Sequence, residues 1–431
     1  MLIETSLFEE LTNIGNLETA FKAVKRNRGS SGIDGVTVDE FDSRLEEELR
    51  QLKKDLESWT YQPQPVRGVE IPKPGKHGGT RMLGVPCVRD RVVQTAIKNL
   101  LEPDLEKIFS DHSYGFRPGR NQRQAVDAAQ AAVKSGKKFV VDIDLSKFFD
   151  RVGHDRLISR LSRVVDDKRI LRIIGLTLRS GIMKDGLLKV TTEGTTQGSP
   201  LSPLLSNFVL DELDKDLERR GLRFARFADD CNIFVGSEMA AERVMKSVSK
   251  FIEGKLKLKV NQDKSKTERS RKVKFLGITI DGRGCRVISQ ESMQRARRKV
   301  VELTPRGTHL PIEKSVERIN QWYVGWSNYY KMTQYPRQLR SIEQHIRRRL
   351  RARFVSQSKR RKYLYRKLRK QGCSHGAAKS VYSNHGPWAL SRSPAIHRAF
   401  NNAWFKNHLK LKEITSQRQP GWLGFSKYPL L

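Results

Sequence analysis

Two short strand-like stretches, Arg223–Phe227 and Cys231–Val235, are separated only by Ala228, Asp229 and Asp230. Apolar residues on both sides of so short a link read as an antiparallel hairpin with two carboxylates at its bend. Crowded carboxylates repel one another unless a cation lies between them. Mg2+ favours oxygen ligands and keeps waters and substrate phosphates in its shell. Taken alone, Phe227-Ala228-Asp229-Asp230 is better explained as a plain Asp-rich turn, because Asp favours turns.

A second acidic strand sharpens the choice. Lys138–Leu145 alternates, with Phe139, Val141, Ile143 and Leu145 on one face and Val140, Asp142 and Asp144 on the other. Pairing this strand with the hairpin would bring Asp144 beside Asp229. Three carboxylates so placed suit two metal ions, one lowering the pKa of an attacking 3′-hydroxyl and one stabilising a leaving pyrophosphate. Asp142 and Asp150 compete with Asp144 for the ligand role, and spacing leaves that choice open. Thr196-Gln197-Gly198-Ser199-Pro200-Leu201-Ser202-Pro203 opens a helical stretch. Gly198 permits close backbone approach and the helix N-terminus points outward, which suits a template or nucleotide surface; simple helix capping is the alternative. The Gly-rich segment Ile71–Arg81 reads as a hairpin tip whose cations suit a triphosphate, or as a solvated loop.

Charge narrows the partners. Among 431 residues, 83 Lys and Arg outnumber 47 Asp and Glu, giving +36. Such an excess points to a polyanion, either nucleic acid or an acidic membrane surface. The 37% apolar content supports real cores and the length fits two or three domains. Charge is also unevenly placed: residues 1–60 hold 8 basic and 13 acidic side chains, whereas residues 291–431 hold 31 and 6. Cys87, Cys231, Cys285 and Cys373 form no CxxC pair, which fits a reducing cytosol. The acidic start of the chain is unlike a signal peptide, and no run approaches a membrane span. The expected location is the bacterial cytoplasm, with no membrane partner.

Leu17–Val24 and Phe41–Leu56 read as amphipathic helices flanking a Gly-rich turn, Arg28–Gly35. Val69–Pro72 and Arg81–Val85 read as short strands. Residues 201–220 carry helical spacing, with Ser199 or Ser202 as cap and Gly221 as stop. From about residue 290 the pattern is mainly helical, with Ile319, Trp322 and Trp326 placed as core.

These strings, in this order, closely resemble the reverse transcriptases encoded by group II introns, also called maturases. The likeness runs through Gly32-Ile33-Asp34-Gly35, Ser113–Arg120, Phe148-Phe149-Asp150, Gln197–Pro200, Phe227–Asp230, Asn261–Ser265, Phe275-Leu276-Gly277 and Gly325–Tyr330. It covers nearly the whole chain. The resemblance implies an α+β right-hand polymerase, with fingers, a palm with an antiparallel sheet, a helical thumb and a small helical C-terminal segment. Its expected divisions are residues 1–290 for fingers and palm with an N-terminal extension, 291–372 for the thumb or maturase domain, and 373–431 for a DNA-binding segment. It implies an RNA-directed DNA polymerase using two Mg2+ ions, with Mn2+ as a substitute. The family's motif selects Asp144 over Asp142 and Asp150, matches Asp229 and Asp230 to its paired aspartates, and adds the Leu145 carbonyl to the metal shell. Phe149 matches the bulky residue that excludes a ribose 2′-hydroxyl, and Gln197 a residue near nucleotide and template. Lys73 and Arg81 match the fingertip cations on the triphosphate. Lys264 matches a lysine that protonates pyrophosphate as it leaves; a surface cation beside a strand is the competing account. The family usually has Tyr where this chain has Phe227, which keeps the ring and loses the hydroxyl.

Arg347–Lys370 holds 13 Lys or Arg in 24 positions and no acid. Arg347, Arg348, Arg351, Lys359, Arg360, Arg361, Lys362, Arg366 and Lys367 are therefore expected to track a phosphate backbone, joined by Arg117 and Arg120. Arg28 and its segment are the candidate cover for a template end. The implied partners are group II intron RNA, an RNA template with a DNA or RNA primer, target DNA and dNTPs, with oligomeric state open. Relatives often add a nuclease domain with His and Cys ligands; that pattern is missing, so the nuclease-lacking type is expected. Two other readings stay open: a free-standing relative in host DNA repair or phage defence, and a non-catalytic RNA-binding splicing factor.

Overall fold

The computed structural model describes residues 6–72, 79–184, 186–189, 193–194, 197–305, 307–358, 360–383, 385–415 and 422. The chain packs as two units, Met1–Arg269 and Ser270–Leu431. Together they give a mixed α/β fold in which sheets are flanked by helices.

In the first unit, helix Ile14–Asn27 forms because Leu17, Ala20, Phe21 and Val24 recur at helical spacing, and all four are buried. The Asn13 side chain accepts from Gly15 N–H to start it, and Arg28 at φ 55° ends it. The expected helix Phe41–Leu56 is two helices, Val38–Ser43 and Leu45–Glu57. Arg44 lies at φ −121°, outside the helical region, yet the apolar spacing runs straight through it, so periodicity does not reveal the break. Helix Ser202–Arg219 stacks Leu204, Leu205, Phe208, Leu213 and Leu217 into the core. Its N-cap is Leu201, without a side-chain cap; Ser202 is already helical, and Ser199 Oγ instead accepts from Leu201 N–H at 3.3 Å.

Strands β1 (Val66–Pro72), β2 (Thr80–Val85), β4 (Ile182–Lys184) and β5 (Leu187–Lys189) form a sheet in the order β2-β1-β4-β5. A second sheet has the order β6-β7-β3-β8, from β3 (Phe139–Ile143), β6 (Arg223–Phe227), β7 (Asp230–Val235) and β8 (Lys266–Arg269). Its inner face carries Val141, Ile143, Phe224, Ile233 and Val235, buried with the Ser202–Arg219 helix in one cluster. Each such side chain contributes roughly 1.5–3 kcal/mol on burial.

The second unit starts at Ser270. Near its start lies a hairpin of β9 (Ile278–Ile280) and β10 (Arg286–Ile288), tied to the segments that follow. Gln334 N–H donates to Arg286 O at 2.9 Å, and Ile288 N–H donates to Gln338 Oε1 at 2.8 Å. Helices Gln290–Leu303, Ile312–Tyr330 and Pro336–Gln357 pack on one another. Ile319 is core, but Trp322 and Trp326 are half-buried and stack on each other at 5.8 Å. Cys87, Cys231 and Cys373 are buried free thiols. Among the described residues, no helix is long and apolar enough to cross a membrane.

Asp90 is buried in the first unit, where its carboxylate accepts from Tyr61 Oη at 2.7 Å and Gln64 N–H at 3.0 Å. Burial is the main cause that raises its pKa to about 6, against an unperturbed 3.8. A carboxyl whose folded pKa is raised stabilises the fold at acid pH and loses that contribution as pH climbs through the folded value. Denaturant titrations should therefore show wild type losing up to about 3 kcal/mol relative to Asp90→Asn between roughly pH 4 and pH 6. Parallel pH profiles for the two proteins would refute this.

Candidate active site

The sheet register brings the separated acids to one edge. β3 runs antiparallel to β7 with Ile143 opposite Cys231 and Asp142 opposite Asn232. Asp144 follows Ile143 and Asp230 precedes Cys231, so the two aspartates emerge at the same end of the paired strands. Asp142 sits one step further in, where its carboxylate accepts from Asn232 Nδ2 at 3.0 Å. Asp150 is exposed in the 3-10 turn Phe148–Asp150. Asp144 itself is clamped through its backbone. Its N–H donates to Ser265 Oγ at 3.0 Å, and its carbonyl accepts from Asn261 N–H at 2.8 Å. Leu145 bridges to Val260 and is buried.

Phe227 pairs with Asp230 across a two-residue turn of Ala228 and Asp229. Ala228 lies at φ 57°, the left-handed region that Gly usually fills in such turns. Three groups hold it there. Arg226 Nη1 donates to Ala228 O at 2.9 Å and to Asn207 Oδ1 at 3.0 Å. Asn207 Nδ2 donates to Gly115 O at 2.8 Å. Gly115 lies so close that an added Cβ would stand 2.3 Å from Ala228 N. Arg226 and Asp214 are both fully buried, and Arg226 Nε donates to Asp214 Oδ1 at 2.8 Å. Burial works against the guanidinium charge, but Asp214 outweighs it and leaves Arg226 more basic than usual.

The Asp229 carboxyl is raised above the ordinary range, mainly by burial and further by the charge of Asp144. Its own backbone N–H works the other way. Lys264 Nζ stands 3.8 Å from Asp144 Oδ2, in solvent, a pair worth little to stability. All the donors here are oxygens, which suits Mg2+. Among the described residues, no three His, Cys, Asp or Glu side chains are closed into a metal-holding group.

The neighbouring expectations resolve unevenly. Phe149 packs edge-on against Phe148 with ring centroids 5.2 Å apart. Gln197 O accepts from Gly84 N–H at 2.7 Å, so the loop that leads into the Ser202–Arg219 helix lies against β2, the strand that carries exposed Arg81. The close approach at Gly198 is to this strand: an added Cβ would stand 2.4 Å from Gly84 O. Lys73 and Lys359 lie outside the described residues. Arg28 is exposed, and Arg91 Nη2 anchors its segment by donating to Ser30 O at 2.7 Å.

Several expected phosphate contacts are turned inward. Arg117 is buried, with Nε on Glu106 Oε1 at 3.1 Å and Nη1 on Ser113 O at 2.9 Å. Arg120 is half-buried on Asp111 O at 2.9 Å. Arg347 is buried against Glu413, and Arg351 Nε donates to Phe400 O at 2.8 Å. Arg349, from the same run, donates through Nη2 to Thr304 O at 2.6 Å. Phe400 and Thr304 each end a helix, so these guanidinium groups satisfy carbonyls that helix ends leave unpaired. Arg348 lies half-buried over the Trp388 ring at 3.9 Å. Arg361 donates to His385 O at 2.8 Å, and Lys367 stands 4.3 Å over Phe354. Arg360, Lys362 and Arg366 remain exposed.

The sequence reading missed Arg226, Asp214, Asn207 and Gly115. A signal existed: period-2 alternation puts Arg226 on the same strand face as buried Phe224, and an inward arginine needs an acid. Asp214→Asn should cost about 3–5 kcal/mol in chemical unfolding, because Arg226 is left buried without its counter-charge. A loss under about 1 kcal/mol would show that the pair is dispensable.

Comparison with known proteins places these features. Residues 71–280 match the model of the reverse transcriptase (RNA-dependent DNA polymerase) family. Residues 293–372 match the maturase-specific domain of group II introns. The chain is 33% identical over 273 residues to protein YkfC of Escherichia coli, covering 54% of this chain and 71% of that protein. It is 32% identical over 222 residues to the group II intron-encoded protein LtrA of Lactococcus lactis, covering 52% of this chain and 37% of LtrA. A putative COX1/OXI3 intron 2 protein of Saccharomyces cerevisiae is 29% identical over 339 residues, covering 64% of this chain and 39% of that protein.

Proposed function

The chain belongs to the family of group II intron-encoded reverse transcriptases and maturases, and on that premise we propose that Asp144, Asp229 and Asp230 form the centre at which it extends a primer 3′-hydroxyl on an RNA template. The carrying observation is the register that brings Asp144 and the Ala228-Asp229 turn to one edge of the sheet. The second sheet is then the palm, the first belongs to the fingers, and the helices of the second unit form the thumb. Nucleotide polymerisation of this kind requires a divalent metal. Asp144, Asp229, Asp230 and the Leu145 carbonyl would hold two ions of the Mg2+ kind, which supply activation of the hydroxyl and neutralisation of the pyrophosphate.

The chain's own residues do the rest. Burial of Asp229 beside the charge of Asp144 leaves a site short of positive charge, which favours cations and the phosphates they carry. Phe149 is the bulky ring beside the sugar and disfavours a 2′-hydroxyl. Gln197 is placed by its backbone against β2 and faces nucleotide or template, while Arg81 and Lys73 take the triphosphate. Lys264 is the proton donor to the departing pyrophosphate. Arg28 and its anchored segment lie along the template end. Intron RNA, template–primer and target DNA are the polyanions for the exposed cations Arg360, Lys362 and Arg366.

Primer extension on an RNA template tests the centre. Asp229→Asn and Asp144→Asn should each lower incorporation by at least about 1,000-fold, and chelation of divalent metal should do the same. Phe149→Ala should keep dNTP incorporation and raise the use of rNTPs; an unchanged dNTP-to-rNTP ratio would remove Phe149 from the sugar pocket.

Salt dependence tests the basic surface. Removing Arg360, Lys362 and Arg366 together should reduce the slope of log affinity for RNA against log salt by roughly 0.7–0.9 for each phosphate no longer neutralised. Arg351→Ala should leave that slope unchanged and lower thermal stability, since its guanidinium caps a helix. The reverse pattern would mean that the burial of Arg351 is irrelevant to its role.

A further inference from the structure

Phe116 breaks two ordinary rules at once. It is a large apolar side chain that is 58% exposed, and its backbone lies at φ 56°, where bulky L-residues are rare. A lone exposed apolar side chain needs no explanation. A strained one does, because such a conformation costs about 1–3 kcal/mol and persists only where its surroundings over-determine it.

The surroundings act from both sides. Before it, Tyr114 N–H donates to Arg226 O at 2.9 Å, and Gly115 O accepts from Asn207 Nδ2 at 2.8 Å. After it, Arg117 is buried, with Nη2 donating to Glu106 Oε2 at 3.0 Å and Nη1 to Ser113 O at 2.9 Å. Between these anchors the left-handed residue turns its ring out of the interior and toward Phe227. The two ring centroids are 6.3 Å apart, with the planes at 42°. Phe227 itself lies two residues before Asp229. The result is a pair of rings beside the acidic turn, one of them held there at the expense of backbone strain.

We propose that Phe116 and Phe227 form an apolar shelf on which the terminal base pair of the primer–template duplex rests, so that Phe116 positions the primer 3′ end beside Asp229. The inference rests on the polymerase reading above. A nucleotide whose 3′-hydroxyl reaches the aspartates must lie alongside the residues that adjoin their turn. Phe116 and Phe227 offer it ring surface and no side-chain hydrogen-bonding group, so they meet sugar and base surface without reading sequence. An A-form duplex presents a wide, shallow minor groove that flat rings can meet. Contact between aromatic rings and bases tolerates every base, as copying of any template requires.

The test uses the full chain and a primer–template hairpin with an RNA template strand. Phe116→Gly deletes the ring and also relieves the backbone, since glycine occupies φ 56° without strain. Its melting temperature should equal or exceed that of wild type. KM for the hairpin should rise about tenfold, with kcat at saturation within about twofold of wild type. Phe116→Trp should restore KM. An unchanged KM in Phe116→Gly would overturn the proposal, as would a fall in melting temperature with a parallel fall in kcat, which marks a structural role only. Wild-type extension, and its loss in Asp229→Asn, judges the polymerase reading separately. Equilibrium binding of the same hairpin without nucleotides reads the Phe116 shelf whether or not the chain extends it: about tenfold weaker binding by Phe116→Gly supports the shelf, and equal binding removes it.

Discussion

A guanidinium and a carboxylate, Arg226 and Asp214, meet where neither is exposed above 1%, and the acidic bend hangs from that pair. Ala228 at φ 57° would relax if released. The Arg226 fork that grips Asp214 also donates to Ala228 O and to Asn207. Asn207 in turn fixes Gly115 against the same turn. Only a planar group with several donors in fixed directions can serve all of these acceptors at once, which a lysine ammonium cannot do. Burying an ion pair is a poor source of net stability. Here it is better understood as the device that selects one conformation for a strained turn.

Arginine plays the same part elsewhere, and this changes the meaning of the net charge. The run from Arg347 to Lys370 suggests a solvated cationic surface. In the structure Arg347, Arg349, Arg351 and Arg353 are buried, and three of them donate to backbone carbonyls. Two of those acceptors, Thr304 O and Phe400 O, lie where helices end and leave carbonyls unpaired, and Leu310 O lies in the segment just before the next helix. Part of the basic excess therefore holds the second unit together. The part that faces water, including Arg360, Lys362 and Arg366, is smaller than the count of cations implies.

The hairpin, the acidic strand and the Ser202–Arg219 helix were legible because each is written in local periodicity, period 2 for Phe139–Ile143 and helical spacing for Leu204 to Leu217. The pairing of Asp144 with the bend was legible only as a condition, since β3 and β7 are far apart in sequence and their register is a tertiary fact. Arg226 is hard to single out because it stands among apolar strand residues, and its partner Asp214 lies on a helix whose sequence is dominated by apolar spacing. Composition gives no means to separate capping arginines from solvated ones; that depends on which helix ends come near. The break at Arg44 left no trace because Phe41, Leu45 and Leu49 keep their spacing across it. Ser199 and Ser202 look alike as caps, and only the backbone shows that the helix begins after Leu201.

The acids at the edge are held by two locks that share no residue. Asp144 is fixed by the Asn261–Ser265 turn through its own backbone N–H and carbonyl, and its carboxylate makes a loose contact with Lys264. Asp229 is fixed by the Arg226 network acting on Ala228, again through backbone and not through its carboxylate. Like charges driven together would normally separate by moving the chain. Neither lock permits that, because each grips main-chain atoms that are already bonded inside the core. The repulsion is therefore carried by the fold, and relief has to come from outside as positive charge. Under the reading proposed above, that positive charge is divalent metal, and the backbone anchors arrange the edge for it. The same backbone anchors that arrange it also force Phe116 outward beside it, so the acidic edge and its neighbouring apolar surface follow from one set of buried bonds.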